Sequence, residues 1–596
     1  AWYGHMVELP RLSESDARDR ADLLKRSVDA NPRLHELAER PLLLTLIARL
    51  QTDAGGNLPE KREALYDKAV DMLLNTWENM KVRVRDDGTK EVQPSLAEWL
   101  SASRDDIRKQ LNRLAFEAHH DQPQLSGTAD IRQAHLLAAL HAASSTKDVK
   151  LLRLEDYLRD RAGILAAHGV GMYQFPHRSF QEYLAACHLT DDDFPDKIAE
   201  LARSDPNRWR EVALLAGAKA ARGSSLNVWA LCESLCLAPP PDGDAPITEH
   251  WGALLAGCLL VESADLAKVA PRNQDKLVRV RQWQIALMRN TTLPAVERAL
   301  AGRNLALLGD SRPEIMTLDG MHFCLVPAGP FVMGDDRGND NRKPQHEVDL
   351  TQPYLIGRHP VSVAQWREYV RLSGDRADED PSLAGRDNDP VIWVTWHDAI
   401  AFCAYLTQRW HKQLPDGFVV SLPSEAEWEK AARGGTHLPT QCALVAVAQL
   451  RQQQAERSNS SQIANPVPHR SFPWGESFDA NLANTESSIG QTSALGCYPL
   501  GSSPYGCEDM AGNVGEWTRS LWGKDFFNPE FRYPYGPDDP GRENPSASDD
   551  VLRIVRGGSW LNQRDGSRCA FRFSDLPDLR CFDLGFRVVL RCAPVS

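Results

Sequence analysis

The feature that most constrains this chain is a change of texture near Thr317, where one hydrophobic period stops and another begins. Up to about Arg312 apolar residues recur at three- and four-residue steps, as in Leu34, Leu37, Leu42, Leu43 and Leu46, and again from Leu65 to Trp77. That spacing lays them along one face of a helix. Phe180, Tyr183, Leu184 and Cys187 fall at i, i+3, i+4 and i+7 and predict a further inward-facing stripe. Pro32 and Pro41 punctuate the first helices, and Leu58-Pro59-Glu60 reads as a helix entry with proline in the first turn. Beyond Thr317 the runs are short and β-like (His322 to Val326, Val332 to Gly334, Val419 to Leu422, Leu552 to Val555) among loops rich in Gly, Pro, Trp and Asn. Helices are expected at Ser362 to Leu372, Trp396 to Trp410 and Ser424 to Arg433, the last opening on the capping pattern Ser424-Glu425-Ala426-Glu427. At 596 residues the chain is several times the usual domain length of about 100–150. The expectation is a multidomain protein, an all-α amino-terminal region followed by an α+β domain.

Composition narrows the function classes. A net charge of -13 argues against a nucleic-acid face built on bulk charge, so no nucleic-acid partner is expected. The longest apolar stretch, Gly252 to Val261, is well short of the ~20 residues needed to cross a bilayer, so no membrane partner is expected either. The opening Ala-Trp-Tyr-Gly-His has no basic region, apolar block or cleavage site, and its lack of an initiator Met reads as a cut or trimmed product. Twelve cysteines scattered from Cys187 to Cys592, without a CxxC pair, suit free thiols in a reducing cytoplasm. Cys232 and Cys236 lie in an apolar helical stretch with no second Cys/His pair nearby, which favours small buried hydrophobes over metal ligands.

Two segments of the helical part carry a resemblance: Leu34-His35-Glu36-Leu37-Ala38-Glu39-Arg40-Pro41-Leu42-Leu43-Leu44 and Phe175-Pro176-His177-Arg178-Ser179-Phe180-Gln181-Glu182-Tyr183-Leu184. Asp205 to Leu215 resembles the turn and helix that usually follow. Residues 1–230 thus resemble the helical region that follows the nucleotide-binding core in the NACHT family of signalling NTPases, with further helices over 231–312. No G-x-x-x-x-G-K-[ST] loop is present to cradle phosphates. The chain itself is expected to hydrolyse no nucleotide. The resemblance implies a nucleotide-binding core upstream as a partner, with self-association on activation. His177 and Arg178 either contact that core or cap and pack a helix start.

The second half carries a longer series: Phe323-Cys324-Leu325-Val326-Pro327-Ala328-Gly329, Pro390-Val391-Ile392-Trp393-Val394-Thr395-Trp396, Leu422-Pro423-Ser424-Glu425-Ala426-Glu427-Trp428, Phe472-Pro473-Trp474-Gly475, Asp509-Met510-Ala511-Gly512-Asn513-Val514-Gly515-Glu516-Trp517, Arg556-Gly557-Gly558-Ser559-Trp560 and Gly585-Phe586-Arg587. In order and spacing it is similar to the formylglycine-generating-enzyme (sulfatase-modifying factor) family, which implies a C-type-lectin-like α+β domain over 316–596; within it the Gln/Ala/Ser bias of 436–470 reads as a surface insertion. The family's chemistry uses a copper-binding cysteine pair just after the Gly-Gly-Ser-aromatic turn. Here Asn562 stands where the first thiol would sit, and Cys569 aligns with a non-catalytic cysteine. A lone thiol does not supply the paired thiolates that select Cu(I). Related iron-dependent sulfoxide synthases use clustered histidines, whereas His346, His359 and His397 are scattered and read as surface or packing residues. No copper, no iron and no catalytic residue is expected. The resemblance implies one structural calcium, bound by Asp509 and Glu516 side chains and the carbonyls of Gly512 and Val514, a set suited to a hard ion. The alternative is that Glu516 only caps nearby amides.

Residues 556–587 also resemble the variable region of proteins diversified by retroelements. A fixed frame (Arg556 to Trp560, then Arg568, Ala570, Arg572, Pro577, Arg580 and Gly585 to Arg587) surrounds Leu561, Asn562, Asp565, Gly566, Phe571, Phe573, Ser574, Asp575, Leu576, Leu579, Phe582 and Asp583. Each of these is reachable from an AAC template codon, or TAC at Phe571, by changing adenines alone. Apolar anchors beside charges suit protein recognition. The resemblance therefore implies a non-catalytic, cytoplasmic ligand sensor that binds a protein through these loops. The alternatives are a diverged, inert member of the enzyme family in which Phe571, Phe573 and Phe582 are buried, a divergent formylglycine-generating oxidase or iron-dependent sulfoxide synthase, or a purely structural module.

Overall fold

A computed structural model describes residues 13–29, 38, 41–53, 58–59, 61–78, 81–84, 90–93, 95–144, 164–192, 194–374, 380–452, 461–536, 539 and 541–593. The chain divides into two units, Ala1–Ala238 with Gly243–Lys276, and Pro239–Asp242 with Leu277–Ser596. Among the described residues no helix is long and apolar enough to cross a membrane.

The first unit is mostly helical. Its centre is the helix Arg178–Asp191, whose Phe180, Tyr183, Leu184 and Cys187 are buried as their spacing predicts. It packs on the helices Arg104–Asp121 and Pro206–Gly223. Gln181, fully buried, satisfies both ends of its amide there: Oε1 accepts from Ala129 N at 2.8 Å, and Nε2 meets Gln122 Oε1 at 3.2 Å and His119 Nδ1 at 3.1 Å. His177 is the N-cap, its Nδ1 accepting from Ser179 N at 3.1 Å, and Arg178 pairs with Glu182 at 2.7 Å. Asp205 caps the next helix, with Pro206 in its first turn. Cys232 and Cys236 are buried. Leu34, Leu37 and the motif at 34–40 other than Ala38 lie outside the described residues, as do the side chains of Leu42, Leu43 and Trp77.

The expectation of an all-α region is corrected here. Lys81–Val84 pairs with Lys90–Gln93, and Ile131–Arg132, Met172–Gln174 and Ala166–Ala167 form a small antiparallel sheet with Met172–Gln174 in the middle. Strands of two to four residues are too short to register a period-two alternation.

The second unit holds a five-stranded sheet in the order Phe418–Ser421, Val589–Cys592, Tyr354–Gly357, His322–Val326 and Leu444–Ala446. A four-stranded sheet runs Phe573–Asp575, Leu552–Arg556, Gly515–Gly523 and Leu584–Gly585. Helices at Val363–Ser373, Trp396–Arg409 and Glu425–Arg433 lie where expected, and each opens on a complete capping box, at Ser362, Thr395 and Ser424. The core gathers Trp366, Trp396, Trp410, Trp517 and Phe586.

Two boundaries differ from expectation. Leu277–Arg312, expected to continue the helical region, groups with the carboxy-terminal unit. The reason is close packing: a Cβ at Gly302 would lie 2.6 Å from that of Ala494, and Arg312 Nη1 donates to Leu495 O at 2.8 Å. The 436–470 segment is not wholly a surface insertion either. Leu444–Ala446 forms an edge strand of the five-stranded sheet, and Val445, Val447 and Leu450 enter the core. The Gln/Ala/Ser bias that suggested a loop belongs to the residues after them.

Candidate ligand-binding site

Residues 556–587 wind over one face of the four-stranded sheet, and their frame is set from below. Arg556 ends a strand with its side chain fully buried, donating to Glu425 Oε1 at 3.3 Å, Glu429 Oε2 at 2.5 Å and Cys569 O at 2.6 Å. Arg572 grips Glu425 through Nε at 2.5 Å and Nη2 at 3.0 Å, and its Nη1 reaches Asn341 O at 2.7 Å. Burial alone would raise the Glu425 carboxyl, but Arg572 and Arg556 outweigh it and hold it below its ordinary value. Gly558 turns the chain at φ +67°, and a Cβ there would lie 2.4 Å from Gly566 O, so the Gly-Gly turn admits no side chain.

Above this frame lies a cavity of about 350 Å³. Its floor is Gly515, Val555 and Leu584 from three adjacent strands. Its walls bring together seven of the twelve positions singled out from sequence: Leu561 and Asn562 after the turn, Phe571, Phe573 and Asp575 on the next segment, and Phe582 and Asp583 on the last. Leu561, Phe573 and Phe582 remain 47%, 50% and 41% exposed, so they are not core residues. Phe571 is half-buried, with the Arg342 guanidinium 4.7 Å over its ring.

The other five positions do not line the cavity. Ser574 is buried because it alternates with Phe573 and Asp575 on a strand, opposite Ile554, and so points to the other face. Gly566 is buried, and a Cβ on it would approach Asn562 Cβ to 2.9 Å. These two are corrected as ligand contacts. Asp565 is exposed and pairs with Arg568 at 3.0 Å, while Leu576 and Leu579 bracket the turn at Pro577.

Asn562 and Asp583 have structural duties as well. Asn562 Oδ1 accepts from Ser559 N at 2.7 Å, and Asp583 Oδ2 from Ser559 Oγ at 2.8 Å. Asp583 Oδ1 accepts from Cys581 Sγ at 2.9 Å. Cys581 lines the cavity and was not singled out from sequence; it follows Arg580 and precedes Phe582 in an irregular loop, where no period marks which side chains turn inward. Burial, together with the Asp583 carboxylate, pushes its thiol up to about 11. A thiol held protonated is a poor nucleophile and a poor soft-metal ligand. Cys569 is fully buried, its thiol pushed up to about 12 by desolvation, and lies outside the cavity.

The donor set expected for calcium does not fit that ion as it stands. Both Glu516 oxygens are committed: Oε1 to Arg587 Nη2 at 2.7 Å, Oε2 to Arg587 Nε at 2.6 Å and Trp428 Nε1 at 2.8 Å. Gly512 O accepts from Val514 N at 2.9 Å. Of the two carboxylates, only Asp509 has an oxygen, Oδ2, buried without a hydrogen-bond partner. The guanidinium of Arg587 supplies the positive charge that Glu516 requires. The three histidines do not converge: His346 bridges Pro344 O and Tyr535 N, His397 meets Asp549 at 3.0 Å, and buried His359 lies 3.4 Å from Glu508. Among the described residues no group of three His, Cys, Asp or Glu side chains is arranged to hold a metal.

Residues 311–592 match the family model of the sulfatase-modifying factor enzyme 1-like domain. Residues 62–189 match that of the winged helix-turn-helix domain C-terminal to NACHT. Both domains are present in this chain. The small sheet of the first unit belongs to the second match. The chain is similar to the serine/threonine-protein kinase pkn1 of Chlamydia caviae, at 29% identity over 281 residues, 44% of this chain and 37% of that protein. It is similar to hercynine oxygenase of Mycolicibacterium smegmatis, at 31% over 301 residues, 44% of this chain and 60% of the relative. The inactive C-alpha-formylglycine-generating enzyme 2 of Bos taurus matches at 25% over 346 residues, 48% of this chain and 92% of that protein. The chain thus spans less than two thirds of the kinase and of the oxygenase. Among solved structures, Treponema denticola variable protein 1 matches at 23% identity with a TM-score of 0.30, over 46% of this chain and 95% of that one.

Proposed function

We propose that this chain is the sensing part of a NACHT-type signalling NTPase, and that its carboxy-terminal domain, on a C-type-lectin-like frame, recognises a protein and performs no chemistry. One observation carries the reading: seven positions chosen from sequence as a variable set converge on a single cavity, with Leu561, Phe573 and Phe582 among them left exposed. Exposed aromatic and leucine side chains around a concave centre are what protein recognition uses for anchors. The pairing of a NACHT-associated winged helix with a sulfatase-modifying-factor-like domain supports a sensor arrangement. Asn562 in place of a thiol, and a protonated Cys581, argue against oxidase chemistry.

In this reading the partners are a protein ligand at the cavity and a nucleotide-binding core, in the cytoplasm, with self-association as the output. Ligand acts by favouring one of two states of the helical relay, which requires different affinity for each. A peptide-display selection against the full chain tests recognition. Sequences enriched on the natural chain and lost on the Leu561→Ser, Phe573→Ser, Phe582→Ser triple variant support it; enrichment that is equal on both sinks it. Diversification has a separate test, the search beside the gene for a near-identical repeat of the 556–587 coding segment that differs only at adenines, next to a reverse transcriptase.

A further inference from the structure

The cavity walls are unevenly equipped. Asp575 and Asp583 both line it, and among the described residues neither makes an ion pair; Asp575 Oδ1 accepts only from its neighbour Leu576 N at 3.0 Å, and Asp583 is held by the neutral Ser559 and Cys581 groups. The cations nearby are spent elsewhere. Arg580 pairs with Asp380 and Asp398, Arg568 with Asp565, Arg564 with Glu486, and Arg342 covers Phe571. Three aromatic rings, Phe571, Phe573 and Phe582, also line the space, the first already covered by Arg342, with Trp560 5.9 Å from the ring of Phe582. Ring faces and carboxylates attract the same thing, a cation. A volume of about 350 Å³ is at the small end of ligand sites and has room for one long side chain.

We infer that the cavity takes a lysine or arginine side chain presented by a protein loop, its head group at Asp575 and Asp583 and its methylene stem along Leu561, Phe573 and Phe582. Long cationic side chains divide in this way, with the stem on apolar surface and the head at polar groups. Charge complementarity picks this occupant over a neutral apolar one, because two carboxylates in one partly desolvated space repel each other until a cation arrives. In support, burial and then the Asp583 and Asp578 carboxylates hold Asp575 above its ordinary value, the strain that a bound cation relieves. Protein is the source because Leu561, Phe573 and Phe582 line the cavity yet stay exposed, offering more apolar surface than a single small amine covers.

The inference rests on the cavity being a binding site, and its test separates the two claims. The full chain is titrated with Nα-acetyl-lysine methylamide, Nα-acetyl-arginine methylamide and Nα-acetyl-norleucine methylamide while the ¹³C-methyl signals of Leu561, Val555 and Leu584 are followed. The basic amides are expected to shift these signals at about tenfold lower concentration than norleucine, a ratio worth ~1.4 kcal/mol. In the Asp575→Asn variant, whose amide oxygen still accepts from Leu576 N, that gap narrows while norleucine binding is unchanged. Equal potency of norleucine on the natural chain overturns the basic occupant and leaves the cavity a binding site. No shift with any probe overturns both, and it needs no variant to fold.

Discussion

Glu425 sits with Arg556 and Arg572 in a space where all three side chains are fully buried. A buried carboxylate left without its guanidinium is far costlier than the pair is beneficial. Arg572→Met is therefore expected to lower unfolding free energy by about 3–5 kcal/mol, read from urea denaturation. Asp389 behaves oppositely. Burial lifts its carboxyl to about 6 despite Arg386 at 2.9 Å, so the folded state holds a proton that the unfolded state has released. Its stabilising share is complete below the unfolded value of about 3.9 and is lost as pH rises through about 6. Natural chain and Asp389→Asn should thus diverge between those limits, the variant gaining relative stability, with a flat difference above pH 7; a flat difference throughout refutes the shift. At this scale the sequence was half legible. Arg556, Arg572 and Arg587 stood out in motifs, yet their partners Glu425, Glu429 and Glu516 come from distant segments, and no spacing rule joins residues 71 to 147 apart. Glu516 read as a calcium ligand for that reason, since the motif carries no sign of the Arg587 guanidinium that folding brings to it.

Helix starts were the most legible elements because a capping box is written within four residues. In the helix Glu425–Arg433, Ser424 Oγ accepts from Glu427 N at 3.1 Å and Glu427 Oε2 from Ser424 N at 2.7 Å. Ser424→Ala is expected to cost about 1 kcal/mol, seen as a lower denaturation midpoint at unchanged slope. Strands were expected and found at His322–Val326, Phe418–Ser421 and Leu552–Arg556, whereas the shortest ones were not legible. Phe573–Asp575 exists by pairing with Leu552–Arg556, and that pairing decides that Phe573 and Asp575 face the cavity while Ser574 does not. A three-residue strand cannot announce its own register, so Ser574 was grouped with its neighbours. The Leu444–Ala446 edge strand was missed for the same reason, its partner lying more than a hundred residues earlier.

For the whole molecule, the division between core and rim predicts that recognition and folding separate. Leu561→Ser, Phe573→Ser and Phe582→Ser should each alter stability by no more than about 0.5 kcal/mol, because these side chains remain substantially exposed. Phe586→Ala, two residues beyond Leu584 in the fully buried core, should cost about 3–5 kcal/mol. Comparable losses in both sets, measured by thermal unfolding, would place the rim in the core instead. Domain class and motif order were visible in the sequence at this scale, since each texture repeats over hundreds of residues. The attachment of Leu277–Arg312 to the second unit was not, because helical period alone does not say what a helix packs against.

The knot of Glu425, Arg556 and Arg572 has a consequence for how such a surface can change over generations. Its bonds reach the chain on either side of the exposed loop through backbone carbonyls and buried carboxylates, and none of them touches Leu561, Phe573 or Phe582. Under the proposed recognition, substitutions at those three places are therefore judged by what they bind and hardly at all by whether the protein still folds. Asn562 and Asp583, which hold Ser559, have no such liberty, and a lineage exploring new targets through this loop should keep hydrogen-bond acceptors at both.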